Sequence, residues 1–542
     1  MKFILSATLS VFLFFAASAQ KTPDRWFNLD YKQDGVAGVS ADKALNELLK
    51  DRKAEDVIVA VIDGGTDAVH EDLKDNMWVN SKEIPGNGID DDNNGYIDDI
   101  NGWDFIGGSG GTVQYDNMEL TRIYRDLKPK YLNMDPKQVP AAQKAEYALF
   151  QEVKGKYEKM YIKARTNYEF YKSIEKSINS LKREIGKTKL TNEDIISYKT
   201  SNSESQQGLT ILKNVARGGG DVSAIDDELR EAIEHFETQY KYHLNVDFDP
   251  RAKLVGDNYN DLTSRLYGNN NVKGPDAMHG THVAGIIGAV RGNGTGMDGV
   301  ANHVKIMVVR CVPDGDERDK DVANAIRYAA DNGAKIINMS FGKYYGTQKA
   351  YVDEAVKYAM SKDVLIVHAA GNEGYDLKDK QHYPTRTYAD KSGEAKAWIE
   401  VGACQPNMQP ASFSCYGKKD VDVFAPGTEI YSTTPENTYK SLQGTSMASP
   451  VTAGCAAIIR SYFPSLSAEQ VKDILLKSVT KVPGKVTCPI DDDKQEKAQD
   501  EGKDLKPKSV KYSKLCKSGG IVNAYNAAQL ALNMEAAKSG KK

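Results

Sequence analysis

The chain has 542 residues, of which 40% are hydrophobic and 27% are charged, and its formal net charge is −4. This composition excludes a disordered chain, which would be more polar and more strongly charged. The nearly balanced charge gives no electrostatic reason to expect nucleic acid or an anionic membrane as a partner. Six cysteines in a chain of this length exclude a disulfide-rich scaffold but leave room for three bridges.

The N-terminal residues predict an export signal. Lys2 precedes an apolar stretch from Phe3 to Phe15, and the small residues Ala17-Ser18-Ala19 follow it. The stretch is short for a membrane span of about 20 residues. We therefore expect a signal peptide (1–19) that is cleaved after Ala19. The mature protein is expected to be secreted or periplasmic, with no membrane attachment.

Apolar runs typical of buried parallel strands alternate with segments of helical spacing. The runs are 57–62, 304–309, 335–339 and 364–369, and the helical segments are 320–332 and 348–361. This alternation predicts an α/β fold with a doubly wound, mostly parallel sheet. Reactive groups in such sheets lie at the carboxyl ends of the strands, so the residues after each run are the first candidates for a site.

A region of different composition, 119–247, interrupts this pattern. It is rich in Lys, Glu and Tyr, and its apolar residues recur three or four positions apart. This seam consists of Phe150, Val153, Tyr157, Met160, Ala164, Tyr168, Tyr171, Ile174, Ile178, Leu181 and Ile185. We interpret the region as an inserted helical hairpin or small bundle. A substrate gate or an arm for oligomerisation is one interpretation of its role, and a self-packed antiparallel coiled coil is the favoured one.

The expected organisation therefore has five parts. They are a signal peptide (1–19), the N-terminal part of the main domain (20–118), the insertion (119–247), the rest of the main domain (248–535) and a polar tail (536–542).

Four short segments carry the residues of a nucleophilic site. Asp63 follows the first apolar run, His279 opens a helix-like stretch of small residues, Asn372 follows the last run, and Ser446 begins an Ala-rich stretch. A serine hydroxyl is a poor nucleophile unless a base takes its proton and an acid orients that base. An Asn amide and a backbone N–H at a helix start can hold the oxyanion that forms.

In this order, the four segments resemble the motifs of the subtilisin-like serine proteases, the subtilase family. Segments 411–414, 424–427 and 519–524 are also similar to that family, and the similar stretches together cover about 57–104 and 275–535. The resemblance implies a subtilisin-like fold and an exported serine endopeptidase that acts on proteins or peptides. A catalytically silent peptide-binding or scaffolding protein on the same fold is the alternative.

The resemblance implies a role for each residue of the site. Asp63 orients His279, His279 acts as general base and then as general acid, and Ser446 attacks the scissile carbonyl. Asn372 and the Ser446 N–H hold the oxyanion. His282, which lies three residues after the first histidine, is then structural.

The resemblance also implies two segments that line the specificity pocket and pair with the substrate backbone as an added strand. They are Ser340-Phe341-Gly342 and Ala369-Ala370-Gly371. Two departures from the family pattern remove no catalytic group: Gly64-Gly65-Thr66 follows Asp63, and Val451 follows Pro450. The chain between the acid and the base is also much longer than usual, which the insertion explains.

An acidic turn at 90–101 resembles the first part of a calcium loop. Oxygen-bearing side chains occupy loop positions 1, 3, 5 and 9, and Gly95 occupies position 6. Asn101 stands where a complete EF-hand has Glu. A solvated acidic turn is the alternative, but the spacing favours a structural Ca²⁺. The expected ligands are Asp90, Asp92, Asn94, Tyr96 and Asp98.

Two disulfides are expected if the protein is exported. One joins Cys488 and Cys516, because the charged stretch between them buries little surface by itself. The other joins Cys404 and Cys415 across a predicted hairpin. The remaining two cysteines are expected to be buried free thiols.

Overall fold

The computed structural model of the protein describes residues 22–538 and residue 540, so the predicted signal peptide (1–19) lies outside the described part. The strands are β1 (Val57–Asp63), β2 (Gly102–Asp104), β3 (Gly107–Gly108), β4 (Gly111–Thr112), β5 (Val304–Arg310), β6 (Ile336–Met339), β7 (Leu365–Ala369), β8 (Trp398–Cys404), β9 (Val423–Pro426), β10 (Ile430–Thr434), β11 (Thr438–Leu442), β12 (Thr480–Lys481), β13 (Val486–Thr487), β14 (Ser509–Val510) and β15 (Gly520–Ile521). The α-helices are α1 (Tyr31–Asp34), α2 (Ala41–Lys43), α3 (Glu119–Tyr131), α4 (Lys144–Ile185), α5 (Asn192–Ile196), α6 (Ser203–Arg217), α7 (Ile225–Thr238), α8 (Arg251–Leu254), α9 (Met278–Gly288), α10 (Asp319–Asp331), α11 (Lys349–Ser361), α12 (Thr445–Tyr462), α13 (Ala468–Lys477), α14 (Asp492–Asp500) and α15 (Ala524–Lys538).

A nine-stranded sheet forms the centre of the main domain among the described residues, in the order β12-β15-β9-β8-β7-β6-β1-β5-β2. Neighbouring strands are parallel, except for the antiparallel pair of β12 and β15 at one edge. The predicted α/β fold with a mostly parallel sheet is confirmed. Since β1 lies between β5 and β6, the order of the strands reverses at β1, and a crevice opens at its carboxyl end. Asp63 is the last residue of β1.

The side chains of β1 alternate between two apolar layers. Val59 and Val61 pack with α9, α12, α13 and α15 on one face, and Ala60 and Ile62 pack with α10 and α11 on the other. Because helices cover both faces, every position of this strand favours an apolar residue. This burial accounts for the continuous apolar run in the sequence.

The insertion is helical and packs on itself. The first half of α4, which is 42 residues long, packs against α3, and its second half packs against α5, α6 and α7. Gly208 of α6 lets two helices approach closely, since a Cβ there would lie 2.9 Å from the backbone nitrogen of Ile178. The apolar seam is therefore buried within the insertion. The domain boundaries stay a prediction. No helix in the described part of the chain is long and apolar enough to cross a membrane.

Buried charges attach α3 to the main domain. Lys343 Nζ lies 3.1 Å from Glu119 Oε2 and 2.7 Å from Asp319 Oδ1, and Arg122 lies 2.6 Å from the same Glu119 oxygen. Burial favours the neutral acid, but the charges of Arg122 and Lys343 outweigh it and hold the pKa of Glu119 well below its usual range. The insertion is thus tied to the segment that follows Gly342.

The two predicted disulfides are wrong, since all six cysteines are buried free thiols. Cys404 pairs through its backbone with Pro410, while the Cys415 thiol turns to Glu373, with Sγ 3.5 Å from Oε2. The Cys516 thiol lies 3.9 Å from the Gly520 carbonyl oxygen.

Candidate active site

An acid and a base meet at the carboxyl end of β1. Asp63 is almost fully buried, and its Oδ1 accepts hydrogen bonds from His279 Nδ1 and from the Gly64 N–H, both at 2.8 Å. Helix α9 presents the histidine, and Gly280 allows the helix to approach β1, since a Cβ there would lie 2.1 Å from the Gly65 carbonyl oxygen. The bond at Nδ1 leaves Nε2 of the ring free to accept a proton.

The charge of Asp63 changes the acidity of His279. Partial desolvation of the ring favours its neutral form, but the Asp63 charge and hydrogen bond outweigh it and raise the pKa of His279 above its ordinary value. The side chain remains 41% exposed, so a bound molecule can reach it. This arrangement both fixes the tautomer of the ring and stabilises the imidazolium that forms when the ring takes a proton.

Ser446 is the second residue of α12, and its N–H has no acceptor within the helix. Its Oγ donates to the Ser340 carbonyl at 2.9 Å and not to His279. Ser340 Oγ in turn donates to the Ser446 carbonyl at 2.9 Å, so the two residues hold each other. Gly444 precedes the helix with a φ of 153°, which strongly favours glycine. The serine is therefore fixed by a strained turn and a reciprocal pair of hydrogen bonds.

Asn372 is oriented by the start of α12. Its Oδ1 accepts hydrogen bonds from the Thr445 N–H at 2.8 Å and from Thr445 Oγ1 at 3.0 Å, and these two bonds do not use the Nδ2 hydrogens. A Cβ placed on Gly444 would lie 3.6 Å from the Ser446 nitrogen and 3.7 Å from Asn372 Nδ2. Both nitrogens therefore lie close to Gly444, at the start of α12.

The two predicted substrate-binding segments have different surroundings. Ser340 and Phe341 line a cleft of about 290 Å³ that Asp63 and His279 also line. Gly342 continues this segment and is partly exposed.

The second segment is more deeply buried. Ala369 ends β7, the Ala370 N–H donates to the Val401 carbonyl, and the Gly371 N–H donates to Thr445 Oγ1 at 3.1 Å. The N–H groups of Ala370 and Gly371 are therefore already hydrogen-bonded, to the neighbouring strand and to the start of α12.

His282 has a different environment from His279. It is fully buried, and its Nε2 lies 3.0 Å from the Lys440 carbonyl oxygen. Burial lowers the pKa of His282 to about 4, and the nearby His279 adds to this effect. The ring is therefore neutral and held by a backbone group, which fits the structural role expected for it.

The sequence matches the model of the subtilase family over residues 54–504. The chain belongs to the subtilase family. Subtilisin DY of Bacillus licheniformis is 40% identical over 204 residues, which are 37% of this chain and 70% of that protein. Thermitase of Thermoactinomyces vulgaris is 37% identical over 237 residues, 42% of this chain and 79% of that protein. A solved structure of a protease from Pseudoalteromonas arctica aligns with 94% of this chain and 97% of its own, with 19% identity and a TM-score of 0.46. The protein is a serine endopeptidase, the enzyme class of its family and relatives.

The acidic turn of this subtilase brings two of the predicted ligands together with an acid outside the predicted set. Asp90 and Asp92 come together with Glu83, and one oxygen of each lies within 4.8 Å of the others. Glu83 precedes Asp92 by nine residues, and its Oε1 accepts a hydrogen bond from the Asp92 N–H. Sequence reasoning missed Glu83 because it lies outside the loop pattern. Its negative charge in the same Gly-rich segment was the available signal.

The other three predicted ligands have different partners. Asn94 Oδ1 accepts from the Tyr96 N–H at 2.7 Å, and the two oxygens of Asp98 accept from the N–H groups of Gly86 and Gly88. The Tyr96 ring packs against aromatic residues of the core. These side chains hold the turn in shape, because short polar side chains in tight turns bind nearby backbone groups.

Proposed function

We propose that this subtilase is an exported endopeptidase that hydrolyses peptide bonds through Asp63, His279 and Ser446. The observation that carries this proposal is the 2.8 Å hydrogen bond between buried Asp63 and partly exposed His279. Both residues line a cleft that Ser340 also lines, and the Ser340 carbonyl accepts a hydrogen bond from Ser446 Oγ. The acid, the base and the nucleophile come from β1, α9 and α12, which the sheet brings together.

The reaction begins when a bound peptide displaces Ser446 Oγ from the Ser340 carbonyl. The hydroxyl then donates to His279 Nε2, and Oγ attacks the scissile carbonyl carbon while the imidazole takes the proton. The imidazolium, stabilised by Asp63, gives this proton to the leaving amine, and the C–N bond breaks. Water attacks the acyl-enzyme in the same way, with His279 first as base and then as acid.

Charge that develops on the carbonyl oxygen is held by Asn372 Nδ2 and the Ser446 N–H. Both donors are fixed before substrate binds, because Thr445 anchors the amide oxygen of Asn372 and the helix fixes the serine backbone. Donors that need no rearrangement during the reaction stabilise the transition state more than the ground state.

The substrate backbone is proposed to pair with the edge of the Ser340-Phe341-Gly342 segment. Ser340 and Phe341 line the cleft, while Ala369-Ala370-Gly371 is buried and the Ala370 and Gly371 N–H groups already have acceptors. Pairing as an added strand gives affinity through main-chain hydrogen bonds and leaves specificity to side-chain pockets.

The insertion is proposed to border the path of the substrate. Asp314 lies at the cleft beside His279, and it also lines a second cavity of about 570 Å³ formed with residues of α7. His243 Nε2 lies 3.0 Å from Asp314 Oδ1 and joins the insertion to this point. Because the apolar seam is buried inside the insertion, the exposed residues of the insertion remain available to contact a substrate at the cleft.

We also propose a structural Ca²⁺ at Glu83, Asp90 and Asp92. Three converging carboxylates repel each other, and the only ion pair that they make among the described residues is with the exposed Lys82 side chain, 3.9 Å from Asp92 Oδ2. Oxygen donors are the ligands that Ca²⁺ prefers. A bound ion would neutralise this repulsion and hold the turn against the main domain. Peptide hydrolysis by the triad does not require the ion.

A fluorophosphonate probe tests the triad, because it labels only a serine that a base and an oxyanion hole activate. The wild-type protein and a Ser441→Ala control, changed at an exposed serine of β11, are expected to be labelled. Ser446→Ala is expected to be unlabelled. Labelling of Ser446→Ala, or no labelling of folded wild-type protein, would overturn the assignment. For export, N-terminal sequencing of secreted protein is expected to start at Gln20.

A further inference from the structure

Three buried side chains converge beside the Ser340-Phe341-Gly342 segment, apart from the triad. They are His368 of β7, Glu400 of β8 and His382, and each is at most 8% exposed. His368 and Glu400 occupy paired positions of neighbouring parallel strands, so their side chains share one face of the sheet. One possible ligand atom from each of the three residues lies within 4.8 Å of the other two.

Hydrogen bonds hold part of this cluster and leave two nitrogens unsatisfied. Glu400 Oε1 accepts from His368 Nδ1 at 2.8 Å, and Glu400 Oε2 accepts from Trp398 Nε1 at 2.9 Å. His368 Nε2 and His382 Nδ1 are buried and have no hydrogen-bond partner among the described residues. Buried polar atoms are nearly always paired, so two orphan imidazole nitrogens in one cluster indicate a missing partner.

We propose that His368 Nε2 and His382 Nδ1 bind a divalent transition-metal ion of the zinc class, with Glu400 as the outer partner that holds His368 Nδ1. Imidazole nitrogens suit Zn²⁺, whereas Ca²⁺ and Mg²⁺ prefer oxygen alone. A carboxylate that accepts from the other nitrogen of a ligating histidine fixes its tautomer in metal sites, and Trp398 in turn holds the second oxygen of Glu400. The site is chemically distinct from the oxygen-only cluster at Glu83.

The ion would link a loop to the sheet directly beside the substrate cleft. The His382 ring rests on the backbone of Gly342, since a Cβ on that glycine would lie 2.4 Å from Nε2. Binding therefore fixes His382 against the segment that is proposed to pair with substrate. The site does not depend on the triad, and metal binding is measured without peptide hydrolysis.

Cobalt serves as a spectroscopic probe of this site. Full-length mature protein carrying Ser446→Ala, which prevents self-cleavage, is stripped with a chelator and titrated with Co²⁺ in excess Ca²⁺. We expect one equivalent to give the intense visible bands of a tetrahedral nitrogen-containing site, and Zn²⁺ to abolish them. An oxygen-only octahedral site gives only weak bands.

Three variants decide whether the cluster holds the ion. His382→Ala is expected to lose the bands, and Glu400→Gln, which keeps the shape of the side chain, is expected to weaken Co²⁺ binding by about 10- to 100-fold. The control His303→Ala changes a histidine that is 42% exposed and is expected to bind as before. Circular dichroism verifies the fold of each variant. No tetrahedral bands in the folded parent, or unchanged bands in both folded cluster variants, would refute the metal site.

Discussion

The amide of Asn372 offers the most quantitative test of the proposed mechanism. Asn372→Leu keeps the approximate shape of the side chain and removes the Nδ2 donor and the Oδ1 anchor to Thr445. The Ser446 N–H remains as the second donor. Loss of one of two oxyanion donors is expected to raise the activation free energy by about 3–4 kcal/mol, which lowers kcat by about 10²- to 10³-fold.

The matched variant Thr445→Val separates the donor from its anchor. It removes the hydroxyl bond to Asn372 Oδ1 and the acceptor of the Gly371 N–H, but it keeps the backbone bond at 2.8 Å, so the amide stays in place. Only the bond to Asn372 touches the proposed oxyanion donor, and the loss of that one neutral hydrogen bond, about 0.5–1.5 kcal/mol, limits the expected fall in kcat to about 2- to 13-fold. Steady-state kinetics with a chromogenic peptide measure both variants. If Asn372→Leu changed mainly KM, or lowered kcat less than Thr445→Val, the assignment of the oxyanion hole would be refuted.

Three further predictions follow from charges in the structure. The raised pKa of His279 places the acid limb of the kcat/KM–pH profile above about pH 6.5, because the protonated ring cannot act as a base. Asp63→Asn removes the charge that raises this pKa and is expected to move the acid limb of the profile to lower pH. An acid limb that stays in place or moves to higher pH would contradict the assignment of the raised pKa to the Asp63 charge. Glu83→Gln is expected to lower the Tm measured in Ca²⁺ and to reduce the further fall in Tm that a chelator causes. If a chelator did not change the Tm of the wild-type protein, the result would count against the proposed ion. Lys343→Met leaves buried Asp319 without its cation and Glu119 with Arg122 alone, and is expected to destabilise the protein by about 3–5 kcal/mol in denaturant unfolding. The control Lys357→Met, at an exposed ion pair, is expected to cost at most about 1 kcal/mol, and equal effects would contradict the importance of burial.

Local sequence was a good guide wherever one strand or one helix set the pattern. The run at 57–62 lies in β1 and the seam from Phe150 to Ile185 lies on α4, because burial on both faces of a strand or along one stripe of a helix leaves a direct periodic signal. The order of the four motifs placed the candidate site at the ends of strands and the start of a helix. These features need no knowledge of distant contacts.

Distant contacts explain what the sequence did not predict. Glu83 joins Asp90 and Asp92 only because the chain folds back, and Asp98 turns to backbone N–H groups that a linear loop pattern does not include. The predicted disulfides failed for a similar reason, since neither a hairpin nor a weakly buried stretch between two cysteines fixes the direction in which a thiol points.

The sequence by itself determined the family, the α/β sheet, the helical insertion and the four residues proposed for catalysis. Each of these leaves its mark in residue type, period or order. Only the tertiary structure decided which side chains meet across the sheet, as His368, His382 and Glu400 do, and how Lys343 ties the insertion to the main domain. Such contacts join residues far apart in the chain, and their energies depend on burial and on distances of a few ångströms, which a linear pattern does not encode.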